Sequence, residues 1–300
     1  MLPARGVATE ILRSHPFPCP QAVNVASATY MSKQTDINEK MRAILIDWLV
    51  EVHLKFKLMV ETLYLTVNLI DRYLEKESIT RNKLQLVGVT AMFLASKYEE
   101  IYAPECRDFV YISDKAYTRD QILQMEGHML AKLNFQLTTP NAFVFLKRFA
   151  KIAGIVATPR SKTELLANFF VELTLQEYKM LKYLPSHIAA SAVYLALKTM
   201  GAPCWVRTAP RCTRPPSHAA GRPCAPSPSI FQPPLAHAWH CAQGPELTQH
   251  SCYSEAALLP CVREINALHK AASTNNLQAV RKKYAQEKHG AVSGITPTNV

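Results

Sequence analysis

The chain has 300 residues, of which 48% are hydrophobic and 19% charged, and its net charge is +11. That composition excludes a largely disordered protein, and the length favours two domains with a core each. Apolar runs such as residues 86–95 are far shorter than the roughly 20 residues that cross a bilayer. We therefore expect no membrane partner.

The N-terminal residues lack the basic and apolar regions of a secretory signal, which predicts an intracellular protein. In a reducing compartment the eight cysteines would be free thiols rather than disulfides. The charge is uneven, because residues 1–140 hold 16 basic and 16 acidic side chains whereas residues 141–300 hold 18 and 7. Since the first half is neutral, nucleic acid is not an expected partner.

The first half predicts five helices and no strand, because apolar residues recur with helical and not alternating spacing. Asp36 with Glu39 and Thr118 with Gln121 resemble capping boxes, which mark two helix starts. The predicted helices span about residues 37–56, 61–75, 81–98, 108–112 and 119–133.

The second half predicts five more helices. Ser161 with Glu164 resembles a third capping box, and Pro185 suits the first turn of a helix. These predicted helices span about residues 140–153, 161–181, 185–200, 254–270 and 275–287.

A short repeat relates the two halves. "TAMFLASK" at 90–97 aligns with "SAVYLALK" at 191–198, and each lies on the third predicted helix of its half. An internal duplication explains the match, although two buried helices rich in alanine and leucine could also resemble each other by chance.

Residues 206–243 interrupt the second half with eight prolines, four arginines and no acidic side chain. Proline at this density excludes a packed helix and predicts a disordered insertion. Its three cysteines and three histidines lack the paired short spacings of a structural zinc site. We expect no metal and no other cofactor.

Two tandem five-helix units, with "MRAILIDWLVEV" at 41–52 and "LQLVGVTAMFLASKYEE" at 84–100, resemble the cyclins. Cyclins are the activating subunits of cyclin-dependent kinases. "WLVEVHLKF" at 48–56 is most similar to the mitotic B-type branch of plants and green algae. The resemblance implies an all-α fold of two cyclin boxes, at 30–138 and 139–292, with the disordered proline-rich insertion in the second, a short segment at 1–29 and a tail at 293–300.

The resemblance implies a regulatory subunit that binds a cyclin-dependent serine/threonine kinase at the transition from G2 to mitosis, in the nucleus and cytoplasm. The sequence shows no nucleophile with a suitably spaced base and no glycine-rich phosphate loop. We therefore expect the protein to have no catalytic site of its own. Two alternatives stay open. One is a transcription-initiation factor with the same double five-helix fold, and the other is a mispredicted chain in which 206–243 is translated intron.

A kinase-binding surface is also implied by the resemblance. In cyclins the residues that resemble Lys97 and Glu126 hydrogen-bond the kinase backbone. Further contacts with the kinase are implied for Tyr98, Glu100, Ile101, Leu130, Phe135 and Leu137. Without the resemblance, the "KYEE" run at 97–100 would be read as a solvated helix end.

The stretch "MRAILIDWLV" at 41–50 is apolar on nearly every helical face, and only Arg42 and Asp47 interrupt it. In cyclins the arginine that resembles Arg42 pairs with an acidic residue on the second helix, which is Asp71 here. The pair is expected to be buried, because a guanidinium between helices needs a carboxylate to offset its loss of solvation. The resemblance also implies a groove for Arg-x-Leu motifs of substrates or inhibitors, formed by Met41, Ile44, Leu45, Trp48, Glu51, Arg81 and Gln85.

The alternative for Trp48 is that it is simply a core residue. Lys55 follows Glu51 by one turn, where other cyclins can carry a second acidic residue. Whether this groove binds strongly basic motifs is therefore left open.

Overall fold

The computed structural model describes residues 24–155, 161–201 and 246–298, and the regular secondary structure in these ranges is helical. The predicted insertion at 206–243, with its candidate zinc ligands, lies outside the described residues. Within the described ranges no three His, Cys, Asp or Glu side chains are placed to hold a metal ion. None of the helices described there combines the length and hydropathy needed to cross a membrane.

The first unit contains five helices, and four of them surround the central one. They agree with the predicted helices to within two residues at either end: α1 (Glu39–Phe56), α2 (Val60–Lys76), α3 (Arg81–Glu99), α4 (Cys106–Ile112) and α5 (Arg119–Lys132). The third helix, α3, packs against the other four. It is buried without interruption over residues 86–96, which explains its apolar sequence.

Two of the helix starts test the capping predictions. Thr118 and Gln121 form the predicted capping box, with reciprocal hydrogen bonds of 3.3 and 2.8 Å. The prediction at Asp36 is wrong. Asn38 caps α1 instead, since its side chain accepts a 3.0 Å hydrogen bond from the Met41 N–H and directly precedes the first helical turn.

The described part of the second unit contains six helices, where five were predicted for the whole unit: α6 (Ala142–Ile152), α7 (Lys162–Gln176), α8 (Pro185–Thr199), α9 (Glu246–Ser251), α10 (Glu255–Ala271) and α11 (Ala279–Ala285). The short helix α9 was not predicted. Helix α8 packs against α6, α7, α9 and α10, as α3 does in the first unit. The five-helix arrangement is therefore repeated by α6–α10, and α11 lies outside the repeat.

Helix α7 begins within one residue of its prediction, with Ser161 at the N-cap position, but it lacks the expected capping box and ends earlier. The Ser161 side chain makes no capping hydrogen bond, and the Glu164 carboxylate pairs with Lys147 at 2.8 Å, so the predicted capping box is wrong. The helix ends at Gln176 and a 3₁₀ helix follows at Tyr178–Lys182. Pro185 begins α8 in its first turn, as predicted.

The repeated stretches at 90–97 and 191–198 lie on α3 and α8, the central helices of the two units. Their first seven residues are buried in both copies, and the final lysine of each reaches the surface. The two units pack together through α1 with α7 and α2 with α6, while α11 contacts both α1 and α7. Helix α1 is thus covered by both units, which accounts for apolar residues on most of its faces.

Candidate partner-binding surfaces

The end of α3 meets α5 through an ion pair between Lys97 and Glu126. The Lys97 ammonium also lies 4.4 Å from the centre of the Phe93 ring. The lysine is exposed and the glutamate is buried. The structure therefore brings together the two residues predicted to bind a kinase, and a partner would meet the lysine first.

Two further residues predicted at this surface have contacts within the chain. The Tyr98 hydroxyl hydrogen-bonds the hydroxyl of Thr138, which ties α3 to the segment after α5. The Glu100 carboxylate accepts hydrogen bonds from the Met59 N–H at 2.7 Å and from the Thr62 hydroxyl. A carboxylate at the N-terminus of α2 is favourable because it offsets the helix dipole. This role explains Glu100 by itself, and its contact with a kinase stays a prediction.

Large apolar side chains are exposed just after the ends of α3 and α5. Phe135 is 71% exposed, and Ile101 is also exposed. Asn134 and Phe135 both have a left-handed backbone conformation, with φ of 52° and 57°. The Phe135 N–H donates a 3.0 Å hydrogen bond to the Leu130 carbonyl. Residues other than glycine seldom adopt this conformation, so the end of α5 holds Phe135 outward at a cost. Leu130 and Leu137 are half-buried and pack against the core.

Sequence reasoning missed two exposed aromatic residues. Tyr102 adjoins Ile101 and is almost fully exposed, and Tyr111 on α4 is 71% exposed. Their signal in the sequence is weak, because an isolated tyrosine on a short helix or loop is compatible with burial. Only the packing shows that these rings face outward.

The predicted groove on α1 has an exposed edge and a buried floor. Ile44 is 61% exposed, Met41 and Trp48 are half-buried, and Leu45 is only 6% exposed. Leu45 packs against Gly88 of α3, where an added Cβ would lie 2.7 Å from its Cδ1. The close approach of α1 and α3 at this glycine sets the depth of the surface. Trp48 is therefore neither a fully buried core residue nor a fully exposed one.

The polar residues predicted around the groove have different surroundings. Glu51 is exposed and Gln85 is half-buried. Arg81 binds Asp36 through an ion pair of 2.7 Å and through its backbone N–H at 2.8 Å. The hydrogen bonds from Arg81 lower the pKa of Asp36 below its usual value. Arg81 thus ties the start of α3 to the segment before α1, and its part in docking stays a prediction.

The Arg42 and Asp71 side chains form the predicted buried pair. The guanidinium donates to the two carboxylate oxygens at 2.6 and 2.7 Å, and the side chains are 1% and 3% exposed. The Tyr30 hydroxyl donates to the same carboxylate at 2.7 Å, and burial, followed by the Asp71 charge, raises the pKa of Tyr30. Arg42 also donates to the Leu175 carbonyl of the second unit at 3.1 Å. The pair therefore helps to join the two units.

Asp47, the other charge in the apolar stretch, also faces the second unit. Its carboxylate accepts hydrogen bonds from the Gln176 side chain at 2.7 Å and from the Ala279 N–H at 3.0 Å. Ala279 is the first residue of α11, so Asp47 acts as a cap for that helix. Sequence analysis missed this role, because the bonded partners lie 129 and 232 positions away.

A second buried ion pair holds the other end of α11. Lys283 donates to the two carboxylate oxygens of Glu172 on α7 at 2.7 and 2.8 Å, and the Tyr284 hydroxyl donates to Glu172 at 2.7 Å. Burial, followed by the Glu172 charge, raises the pKa of Tyr284. Local sequence does not indicate this pair, since "VRKKYAQEK" at 280–288 resembles a solvated basic helix.

Comparison with protein families matches both units. The model of the cyclin N-terminal domain matches residues 20–138, and the model of the cyclin C-terminal domain matches residues 140–225 and 237–298. These ranges include every residue of the two surfaces described above. The chain belongs to the cyclin family.

Relatives from plants are similar over most of the chain. It is 43% identical over 280 residues to G2/mitotic-specific cyclin-1 of Medicago sativa subsp. varia, covering 93% of the chain and 56% of that protein. It is 46% identical over 270 residues to Cyclin-B2-4 of Arabidopsis thaliana, covering 89% and 53%. The chain thus spans about half the length of these curated relatives. It spans 90% of G2/mitotic-specific cyclin S13-7 of Glycine max, at 41% identity.

Among solved structures, a viral cyclin from herpesvirus saimiri superposes with a TM-score of 0.62. The match covers 87% of this chain and 96% of the viral protein, at 18% identity. At that identity the likeness supports the fold of two helical units and carries no assignment of individual residues.

Proposed function

We propose that the chain is the activating subunit of a cyclin-dependent serine/threonine kinase and acts at the transition from G2 to mitosis, in the nucleus and cytoplasm. Membership of the cyclin family and similarity to plant proteins named as G2/mitotic-specific cyclins support this proposal. The chain contributes binding energy, and the kinase contributes every catalytic group.

The observation that carries the proposal is the surface where α3 and α5 end. Exposed Ile101 follows the end of α3 and exposed Phe135 follows the end of α5, the two helices that the ion pair of Lys97 with Glu126 joins. Exposed apolar side chains around polar anchors are typical of a protein interface. The left-handed backbone at Phe135 holds that ring outward before any partner binds, so less conformational entropy is lost on association.

Activation follows from preferential binding to one kinase conformation. A protein kinase is active when the lysine of its third strand pairs with the glutamate of its αC helix. A surface that binds the kinase more tightly in this arrangement shifts the population toward it, without a chemical step of its own. Lys97 would supply hydrogen bonds to the kinase backbone, and Ile101 and Phe135 would supply apolar contact area.

Kinase activation tests the proposal directly. The purified chain is mixed with a monomeric cyclin-dependent kinase, and histone phosphorylation and complex formation are measured. We expect the chain to activate the kinase and the Lys97→Ala/Glu126→Ala variant to lose at least about tenfold of that activation, because the charged anchors are removed. As a matched control, Lys182→Ala/Glu264→Ala removes an exposed pair of 2.7 Å from the second unit.

The control variant should activate as the parent does. Circular dichroism would verify that all three proteins are folded. A folded parent chain that neither binds nor activates the kinase would contradict the proposal, as would equal activation by the Lys97/Glu126 variant.

We also propose that the α1 surface binds Arg-x-Leu motifs of substrates or inhibitors. Ile44, Met41 and Trp48 offer an apolar site for the leucine above buried Leu45. Exposed Glu51 offers a carboxylate to the basic residue, and Gln85 offers an amide to the peptide backbone.

A further inference from the structure

The α1 surface continues beyond Glu51 to a contact between Lys55 and Tyr111. The Lys55 ammonium lies 5.8 Å from the centre of the Tyr111 ring, and both side chains are exposed. Tyr111 comes from α4, whose Phe109 packs against Phe56 at the end of α1 with ring centres 5.2 Å apart. A packed contact between α1 and α4 therefore fixes where the exposed ring stands.

Lys55 is directed toward the ring and not toward the nearest carboxylate on its own helix. Glu51 lies one turn before Lys55, a spacing at which a glutamate and a lysine can pair. The structure shows no such ion pair among the residues it describes, and the ammonium lies over Tyr111 instead. Glu51 and Lys55 thus present two opposite charges separately to a partner.

These charges lie on the same helical face as the apolar residues. Ile44, Trp48, Glu51 and Lys55 are spaced by four, three and four residues, which places them along one stripe of α1. With a rise of about 1.5 Å per residue, Glu51 and Lys55 are about 6 Å apart along the axis. Side chains on one side of an extended peptide are spaced by a similar distance, about 6.6 Å for alternate residues.

From this geometry we propose that Lys55 and Tyr111 determine docking specificity by binding an acidic side chain of the partner peptide. The partner is a protein segment in which Asp or Glu precedes the basic residue by two positions and the leucine follows it by two, [Asp/Glu]-x-Arg-x-Leu. The carboxylate binds the Lys55 ammonium, the basic residue binds Glu51 and the leucine covers Ile44 and Trp48. This inference rests on the proposed docking of Arg-x-Leu motifs.

Charge complementarity selects this occupant. A peptide that is basic throughout would place a cation against Lys55, and like charges at short range oppose binding. The Tyr111 ring limits the positions open to the Lys55 side chain, which lowers the entropy lost when a carboxylate binds. An acidic residue at this position therefore adds affinity, and a basic residue lowers it.

Peptide binding to the full chain tests the inference. Three fluorescent peptides share one Arg-x-Leu core and carry Asp, Ala or Lys two positions before the arginine, and their dissociation constants are measured by anisotropy at fixed ionic strength. We expect the Asp peptide to bind about threefold more tightly than the Ala peptide and the Lys peptide to bind about threefold more weakly, as for an exposed ion pair. Lys55→Glu should reverse that order, and Tyr111→Ala should reduce the difference.

Lys270→Glu on α10 is the matched control, because it makes the same change in net charge at an exposed site of the second unit. It should preserve the order of the three peptides. Equal affinity for all three would overturn the role of Lys55 and leave the docking proposal standing. If no peptide binds to the folded chain, this inference and the docking surface fail together, while the kinase-activation test remains separate.

Discussion

His53 on α1 shows how burial sets the charge of a single side chain. It is 3% exposed, and its Nε2–H donates a 3.0 Å hydrogen bond to the Met59 carbonyl. Its Nδ1 has no hydrogen-bond partner among the residues described. Burial, followed by the charge of Lys283, lowers the pKa of His53 to about 3. The imidazole is therefore neutral in the folded chain over the physiological range.

The stability of the chain should fall as the pH drops from 6.5 toward 3. In that interval His53 binds a proton in the unfolded state and not in the folded state, so acid favours unfolding. With an unfolded pKa of about 6.5, this group alone lowers the free energy of unfolding by about 2 kcal/mol between pH 7 and pH 5. Denaturant titrations at the two pH values measure the loss.

His53→Gln should show a smaller loss between pH 7 and pH 5, because the replacement does not titrate. His250→Gln, at an exposed position on α9, serves as the control and should retain the loss of the parent chain. Equal pH dependence in the parent and in His53→Gln would refute this assignment.

At the scale of elements, α11 depends on side chains from other helices. It has seven residues, too few for a stable isolated helix. Asp47 of α1 binds its first N–H, and Glu172 of α7 binds Lys283 and Tyr284 near its end. These contacts explain why α11 forms outside the five-helix repeat, and why its residues hold α1 and α7 together.

Asp47→Ala should weaken α11 more than the rest of the chain. The substitution leaves the Ala279 N–H and the Gln176 amide without their carboxylate partner, at a cost of about 1–2 kcal/mol. Hydrogen exchange followed by mass spectrometry should show faster exchange across residues 279–285. Glu51→Ala, one turn further along the same helix and exposed, should leave that exchange unchanged. Unaltered protection of α11 in Asp47→Ala would refute its capping role.

At the scale of the whole molecule, buried charges join the two units. Arg42 binds Asp71 within the first unit and the Leu175 carbonyl in the second, while Tyr30 packs edge-on against Tyr178 at 5.2 Å. The two charges in "MRAILIDWLV" therefore both serve the contact between units, and its apolar residues fill the core or lie on the proposed docking surface.

Arg42→Met should destabilise the chain by about 3–5 kcal/mol, because it leaves the Asp71 carboxylate buried without a counter-charge. Denaturant unfolding measures the loss. The double variant Arg42→Met/Asp71→Leu should recover much of it, since an apolar pair of similar volume needs no desolvation of charge. Removing the partly exposed pair of Lys132 and Glu77 should cost less than about 1 kcal/mol. A double variant as unstable as Arg42→Met would contradict the ion-pair explanation.

Patterns along the chain predicted the helical fold, eight of the eleven described helices to within two residues at each end, and the family. Helical spacing and the Thr118 cap depend on residues within one or two turns, so they can be read along the chain. Three contacts depend on the packing of distant segments: Asp47 caps α11, Lys283 pairs with Glu172, and Lys55 lies over Tyr111. These partners are 56 to 232 positions apart, and packing rather than local sequence brings them together.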